Sequence, residues 1–234
     1  MNKLSVVLCT FNEEICIKKT LDILINEEII SEIIIVDDNS RDKTIEIIKK
    51  IKNKKIKLYI RKKIKGFASA LIYGIKKTNY DYILRFDADM YLNIKSFIKN
   101  FKKYNNKDCI IFSRYLKKGN DLRGNFRKYS SLILNWICRH VLSTKIKDYT
   151  SCIMIFNKKI LNEVKINNTS YANFIIEFCF DLIVKNKNFI EVPFIQSKNT
   201  EKNSKSAPNL NTFFKNGLYY ASTIISCYLK KKFI

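Results

Sequence analysis

The apolar residues of this chain form short, nearly continuous runs that alternate with stretches of helical spacing. The runs at residues 4–9, 33–36 and 82–86 lack a clean polar alternation, which is typical of central strands in a parallel sheet covered on both faces. Between them, apolar residues recur every three or four positions, as they do over residues 17–25. This order predicts right-handed βαβ crossovers, and therefore an α/β fold with a doubly wound, mostly parallel sheet and helices on both faces.

The pattern continues through the rest of the chain, where a run at residues 189–194 contains Pro193 and is typical of an edge strand. No Pro-, Gly- or Ser-rich linker divides the sequence, so we predict one domain over residues 1–209. Residues 210–234 are predicted to form an amphipathic helix that either lies in a membrane interface or docks on the core. Further strands are predicted at 56–60, 109–112 and 152–156, and further helices at 45–51, 66–78, 123–143 and 172–185.

Acidic residues follow three of the predicted strands. Asp87 and Asp89 are spaced i, i+2 where the fourth strand ends, so their side chains point the same way on an extended backbone. Residues 10–13 and 37–38 follow the first two strands, and ligands of doubly wound sheets bind at such carboxyl ends. Paired carboxylates suit a hard divalent cation that completes its shell with substrate phosphates. The sequence therefore predicts a Mg²⁺ or Mn²⁺ site at this rim.

The formal charge of +23 makes the surface attractive to polyanions, whether nucleic acid, acidic lipid or phosphorylated substrate. A non-enzymatic nucleic-acid-binding protein would explain the charge, but acids at three strand ends repel phosphates unless a metal intervenes. We therefore expect no nucleic-acid partner. The seven cysteines form no C-x-x-C pair, which indicates buried thiols in a reducing compartment. We expect a cytoplasmic protein with a peripheral contact at the inner face of the membrane.

Taken together, the motifs resemble those of the inverting family 2 glycosyltransferases of GT-A fold, and most closely the dolichol-phosphate (polyprenyl-phosphate) mannosyltransferase branch. The matching stretches keep the family order across nearly the whole chain. They are residues 10–13, 36–44, 66 with 70 and 74, 87–89, 113–115, 127 with 131, 148–151, 191–193 and 204–205.

The resemblance implies a role for each matching residue. Asp89, Arg114 and Arg127 are the implied catalytic residues: Asp89 holds the metal, and the arginines face phosphates together with Lys205. Asp87 and Ala88 contact the nucleotide sugar. The residues implied to line the base and ribose pocket are Cys9, Phe11, Glu13, Val36 and Asp38. Tyr91 stands where the branch usually has Gln, and with Asp87 and Asp89 it forms the candidate metal set.

The acceptor is the least constrained part of the prediction. A sugar hydroxyl needs a carboxylate to take its proton, whereas a lipid monophosphate, with a second pKa of about 6, is already ionised at neutral pH. Asp148 and Glu177 are the later acids available as such a base, and neither lies in a convincing base motif. We therefore expect a mannose- or glucose-type sugar to pass from a nucleotide-diphosphate sugar to a polyprenyl-phosphate lipid. The alternative acceptor is a sugar hydroxyl in cell-surface polysaccharide assembly.

Overall fold

The computed structural model describes residues 2–63, 66–168, 172–197 and 210–233. Nine strands alternate with seven helices among these residues. The strands are β1 (Leu4–Thr10), β2 (Ile30–Asp37), β3 (Ile56–Ile60), β4 (Tyr82–Arg85), β5 (Cys109–Ser113), β6 (Asn120–Asp121), β7 (Met154–Asn157), β8 (Phe189–Pro193) and β9 (Ile195–Gln196). The helices are α1 (Ile17–Ile25), α2 (Thr44–Lys50), α3 (Phe67–Lys76), α4 (Ile94–Tyr104), α5 (Asn125–Val141), α6 (Phe174–Val184) and α7 (Leu210–Lys231).

Seven strands form one mixed sheet in the order β3-β2-β1-β4-β7-β5-β8, which confirms the predicted α/β class. β1 pairs in parallel with β2 and β4, and β2 pairs in parallel with β3. β7 runs antiparallel to β4, with Arg85 opposite Met154. The Pro193-containing strand lies at an edge of the sheet, as predicted, because a proline cannot donate to a ladder.

The chain divides into two compact units, of which the first comprises residues 1–110 and 153–160. Strands β1 and β2 are buried because the apolar face of α3 packs on both and that of α1 packs on β2, whereas β3 is only partly buried. Gly74 lets α3 approach the sheet closely: a Cβ at this position would come within 2.6 Å of Val7 Cγ1 and 3.1 Å of Val36 Cγ2. Helix packing thus fixes the carboxyl ends of β1 and β2.

The second unit comprises residues 111–152 and 161–234. Its centre is α6, where Phe174, Phe178 and Leu182 are fully buried. Helix α7 packs on α6 and buries Ile224 and Cys227, so the docked position foreseen as one alternative for this segment is present in the structure. No helix among the described residues is long and apolar enough to cross a bilayer.

Helix α4 was not predicted from the sequence. Helix α4 buries Ile94, Phe97, Ile98 and Phe101, whose spacing is helical, between exposed lysines. β7 also begins at Met154 rather than Cys152, because Cys152 has a positive φ of 55° that a strand cannot accommodate. Both differences leave the predicted topology unchanged.

Candidate active site

The loops that follow β1 and β2 are joined by reciprocal hydrogen bonds. The amide of Asn12 donates to Ser40 Oγ (2.8 Å), and the amide of Arg41 donates back to Asn12 Oδ1 (2.7 Å). The amide of Glu13 donates to Thr44 Oγ1 (2.7 Å). These bonds satisfy loop amides that no strand could pair, and they fix the backbone around Glu13.

The first acid at the end of β2 serves this junction. Asp37 is fully buried, and its Oδ2 accepts hydrogen bonds from the hydroxyls of Thr10 and Ser40, both at 2.7 Å. Its Oδ1 accepts the amide of Ser40, also at 2.7 Å. Both oxygens of Asp37 are thus occupied within the protein, and the residue ties the end of β1 to the end of β2.

The second acid, Asp38, is bound by an arginine that the sequence analysis did not single out. Arg61 Nε donates to Asp38 Oδ1 (2.7 Å), and the amide of Gly66 donates to Oδ2 (2.9 Å). The same guanidinium donates to Ser69 Oγ (2.9 Å) and to the carbonyl of Gly66 (3.0 Å). Arg61 therefore positions Asp38 against the start of α3. The contact follows from the pairing of β3 with β2, which places the two residues side by side.

The turn after β4 places its two carboxylates in different environments. The Asp87 side chain is 47% exposed and pairs with Arg85, which is buried. Asp89 lies in the first turn of a 3-10 helix (Ala88–Asn93), and its Oδ1 is buried with no hydrogen-bond partner. Burial, followed by the charges of Asp87 and Glu13, raises the pKa of Asp89 to about 7. A buried acceptor without a donor costs free energy, which a bound cation would relieve.

The residues of this turn fit a divalent cation shared with a ligand. Within the described ranges, no group of three or more His, Cys, Asp or Glu side chains is arranged to hold a metal by itself. Mg²⁺ and related ions often bind through one or two carboxylates and complete their shell with waters and substrate phosphates. Asp87 and Asp89 match that donor set. The Tyr91 ring lies under the Lys19 ammonium, 5.7 Å from nitrogen to ring centroid, and its role as a ligand stays a prediction.

The remaining predicted pocket residues of the first unit lie at the same strand ends. Burial raises the pKa of Cys9 to about 12, and the charges of Arg85, Asp87 and Asp38 also act on this thiol, so these groups share one electrostatic environment. Val36 and Ala88 are buried, whereas Phe11 and Glu13 are partly exposed. The structure therefore brings together the first-unit residues that the sequence predicted. Their contacts with a ligand stay predictions.

Arg114, in the second unit, lies in a buried polar network. It is 3% exposed and donates to Asp148 through its amide (3.0 Å), Nε (2.8 Å) and NH2 (2.7 Å). It also donates to Thr150 Oγ1 (2.6 Å) and Gln196 Oε1 (3.3 Å). Burial disfavours both charges, but the ion pair outweighs it, so the pKa of Asp148 is lowered and that of Arg114 is raised. Arg114 thus has a structural role besides any contact with phosphate.

Two residues that the sequence analysis left without a role support this network. Glu191 accepts the amides of Lys147 (2.8 Å) and Asp148 (3.0 Å), so it positions the loop that carries Asp148. Arg123 binds Asp121 through Nε (2.8 Å) and NH2 (2.6 Å). These partners are distant along the sequence or lie in an irregular segment, where periodicity gives no signal.

The other predicted phosphate ligands are less defined by their surroundings. Arg127 lies in the first turn of α5 and is partly exposed. Ser131, which accompanies it in the sequence motif, accepts a hydrogen bond from Arg123 NH2 (2.9 Å). Lys205 lies outside the described residues.

Comparison with known proteins points to one family. Residues 5–165 match the model of glycosyl transferase family 2. The dolichol-phosphate mannosyltransferase of Pyrococcus furiosus is 30% identical over 203 residues, covering 82% of this chain and 56% of that protein. The poly-beta-1,6-N-acetyl-D-glucosamine synthase of Staphylococcus aureus is 31% identical over 134 residues, covering 54% of this chain and 32% of that protein. The chain thus spans about half of the first relative and a third of the second.

Solved structures agree on the fold. Glucosyl-3-phosphoglycerate synthase of Mycobacterium tuberculosis, determined in complex with Mn²⁺, UDP and glucosyl-3-phosphoglycerate, matches with a TM-score of 0.71. The match covers 97% of this chain and 80% of that chain at 14% sequence identity. At this identity the likeness establishes a shared GT-A fold and leaves the substrates of this chain to other arguments.

Proposed function

Because the chain belongs to glycosyl transferase family 2, we propose that it transfers a mannose- or glucose-type sugar from a nucleotide-diphosphate sugar to a polyprenyl-phosphate lipid, with inversion at the anomeric carbon. The observation that carries the proposal is the buried, unpartnered Oδ1 of Asp89, beside Asp87 and Glu13 at the carboxyl edge of the sheet. In this position Asp87 and Asp89 would hold Mg²⁺ or Mn²⁺. The cation would neutralise the negative charge that develops on the leaving diphosphate.

The chain's own residues would supply binding and orientation. The base and ribose would be contacted by Cys9, Phe11, Glu13 and Asp38. Val36 would support this pocket from the core. The sugar end of the donor would contact Asp87 and Ala88. Arg61 and the amide of Gly66 hold the Asp38 carboxylate in one orientation. The Asp38 side chain therefore loses less conformational entropy when the donor binds. Arg114, Arg127 and Lys205 would donate to phosphate oxygens, as forked or point-charge donors.

The surroundings of the later acids support a phosphate acceptor. Asp148, one candidate base for a hydroxyl acceptor, is fully buried and held ionised by Arg114, so it is a weak proton acceptor out of reach of solvent. Glu177, the other candidate, accepts a hydrogen bond from Asn167 Nδ2 (2.5 Å) and pairs with Lys230. A lipid phosphate needs no such base because it is already ionised near pH 7. The Pyrococcus relative carries a name consistent with a lipid acceptor.

We place the enzyme in the cytoplasm, peripheral at the inner face of the membrane where a polyprenyl phosphate would be presented. Residues 1–209 would form the catalytic domain, and 210–234 would contribute to membrane association. Because Ile224 is buried against the protein, a lipid contact by α7 would fall on its exposed side, where Ile225 and Leu229 lie.

A thermal-shift panel of nucleotide-diphosphate sugars, with and without Mn²⁺ or Mg²⁺, tests the donor half of this proposal. A ligand that binds the native state raises the midpoint, and the rise grows with the logarithm of the ligand concentration relative to Kd. We expect a rise only when donor and cation are both present, and its loss in Asp87→Asn. Asp22→Asn is a matched control, because Asp22 is also 47% exposed and also pairs with a cation. A panel without any metal-dependent shift would refute the donor assignment.

Transfer to a sugar hydroxyl is the second candidate, favoured by the similarity to the Staphylococcus polysaccharide synthase. The Glu177→Gln variant distinguishes the two candidate acceptors. A hydroxyl acceptor that uses Glu177 as its base loses turnover by about a hundredfold or more in this variant, whereas a phosphate acceptor leaves turnover unchanged.

A further inference from the structure

Strand β4 ends in an arginine whose side chain is buried. Arg85 is 2% exposed, and its strand is paired with β1 on one side and with β7 on the other. The residues level with it on those strands, Val7 and Met154, are both apolar. Taking a guanidinium out of water costs free energy that an apolar residue at the same place would not incur. A charge at this position is therefore better explained by function than by the stability of the strand.

Two side chains hold the Arg85 guanidinium. Its NH2 group donates to Oδ1 of Asp87, which lies two residues along the chain and thus on the same side of the extended backbone. Its Cζ atom lies 4.3 Å from the centroid of the Phe67 ring, in the first turn of α3, which is a cation–π contact. The ring covers one face of the guanidinium and restricts its rotation. The direction from which Asp87 is bound is restricted in the same way.

The pairing leaves the second oxygen of Asp87 for a ligand. The Asp87 side chain is 47% exposed, and no described residue donates a hydrogen bond to its Oδ2. A carboxylate accepts hydrogen bonds through both oxygens, and a hydroxyl group is a suitable donor. Asp87 therefore has one oxygen bound within the protein and one oxygen able to accept from a bound molecule.

The start of α3 connects this pair with a second arginine–aspartate pair. Arg61 Nε donates to Asp38 Oδ1 (2.7 Å), and the same guanidinium donates to the carbonyl of the residue that precedes α3 (3.0 Å). Phe67, the next residue, stacks on Arg85. Asp38 and Asp87, which follow β2 and β4, are thus each held by an arginine, and both arginines contact the start of α3.

We propose that Arg85 is a positioning residue for recognition of the transferred sugar: it fixes the Asp87 carboxylate so that Oδ2 accepts a hydroxyl of the sugar ring. Arg61 and Asp38 would serve the nucleoside end of the donor. The inference rests on the proposed nucleotide-sugar donor and deepens it, because it assigns sugar and nucleoside recognition to different arginine–aspartate pairs. A fixed acceptor loses less conformational entropy on binding, so Arg85 would strengthen sugar binding without touching the sugar.

Ligand affinities distinguish the two pairs. Binding of UDP-glucose and UDP, and of GDP-mannose and GDP, is measured by calorimetry with Mn²⁺ for the full chain and its variants. We expect Arg85→Met to weaken binding of the nucleotide sugar by about tenfold, while binding of the nucleoside diphosphate changes by less than about twofold. Arg61→Met is the matched contrast, because Arg61 is also largely buried and also holds an aspartate. It should weaken both ligands of a pair by the same factor.

Three further readouts exclude a merely structural role for Arg85. Arg85→Met should leave the melting temperature unchanged or raise it, since a buried charge is removed and Asp87 keeps its contact with solvent. The Mn²⁺ concentration for half-maximal binding of the nucleoside diphosphate should not rise, because the variant removes a positive charge near the cation. Arg85→Lys keeps a charge beside Asp87 and should recover part of the lost affinity, but not all, because Lys lacks the planar group that stacks on Phe67.

Three results would overturn the proposal. These are equal weakening of nucleotide sugar and nucleoside diphosphate in Arg85→Met, no weakening of either ligand, and a loss of affinity that is accompanied by a lower melting temperature. If the unaltered chain bound neither UDP-glucose nor GDP-mannose, the donor assignment itself would fail, and the role of Arg85 with it. If the unaltered chain bound its donor and Arg85→Met bound it equally well, the role of Arg85 alone would fail, so the two failures are distinguishable.

Discussion

The ends of β2 and β4 both carry aspartates, yet their hydrogen-bonding states are opposite. At the end of β2, Asp37 is fully buried and both of its oxygens accept hydrogen bonds from Thr10 and Ser40. After β4, Asp89 has a buried Oδ1 without a donor, next to two further acids. In the sequence, Asp37 and Asp89 are the same residue type at the same kind of position, near the carboxyl end of a strand.

The difference separates folding from function. An acid whose acceptors are satisfied internally stabilises the loops it joins, and its loss is felt in the free energy of unfolding. An acid left without donors destabilises the folded protein, and this arrangement is typical of sites that bind a cation or undergo chemistry. The predictions below test this separation.

The largest expected effect is that of Asp89→Asn. We expect transfer to be abolished, because the amide removes the charge that would hold the cation, while the melting temperature stays the same or rises as a buried charge is lost. Transfer assays and thermal melts measure the two quantities. Full activity of the variant, or full activity of the unaltered enzyme in excess chelator, would contradict the metal assignment.

The two arginines should behave differently from each other. Arg114→Ala and Arg127→Ala are each expected to lower turnover by about a hundredfold or more, the effect of losing one preorganised donor to developing charge. Only Arg114→Ala should also cost about 3–5 kcal/mol of folding free energy, because it leaves Asp148 buried without its partner. Denaturant melts distinguish them. If neither substitution changes turnover, both arginines are structural.

The Arg114–Asp148 pair also predicts an acid dependence. The folded pKa of Asp148 is lowered, so the pair contributes stability that is present above about pH 4 and lost as pH falls through the folded pKa. The unaltered chain should therefore lose stability below pH 4 more steeply than Arg114→Ala. Equal slopes in denaturant melts at pH 2 to 6 would show that the pair is not coupled to folding.

Asp37→Asn should show the reverse of Asp89→Asn. The asparagine side chain has only one acceptor oxygen, whereas both oxygens of Asp37 accept. One of the donors at Thr10 or Ser40 therefore loses its partner, which should lower the free energy of unfolding by about 2 kcal/mol. We expect a lower unfolding midpoint and an unchanged metal requirement. If donor binding lost its dependence on the cation, Asp37 would belong to the metal site, and the distinction between a folding role for Asp37 and a functional role for Asp89 would fail.

The sequence predicted the fold well, because strands and helices follow from local patterns. The runs that became β1 to β4 are rich in Ile, Val and Leu and end in polar residues, so strand identity and the carboxyl rim could both be predicted. The helical spacing of Ile94, Phe97, Ile98 and Phe101 is equally clear, so α4 was also predictable from the sequence.

The state of each acid could not be predicted in this way. Whether Asp38 is bound by Arg61, or Asp148 by Arg114, depends on which strands become neighbours, and the partners are 23 and 34 residues apart. Motif positions give residue identity, whereas hydrogen-bond satisfaction is a property of the folded chain. The pattern of acids after β2 did not separate Asp37 from Asp38, although the family resemblance assigned only Asp38 to the pocket; their different hydrogen-bond partners are seen only in the structure.

The smallest expected effect concerns Asn12 and Asn39, which both adopt the left-handed conformation, with φ values of 56° and 61°. Glycine adopts this conformation without strain, so a change to glycine reports mainly on the side chain. Asn12 Oδ1 accepts the amide of Arg41, and Asn12→Gly should therefore cost about 1 kcal/mol. The Asn39 side chain makes no such bond to another described residue, so Asn39→Gly should cost a few tenths of that value. Equal costs in denaturant melts would show that the bond between the two loops contributes nothing, and that backbone conformation alone sets the junction at this edge of the sheet.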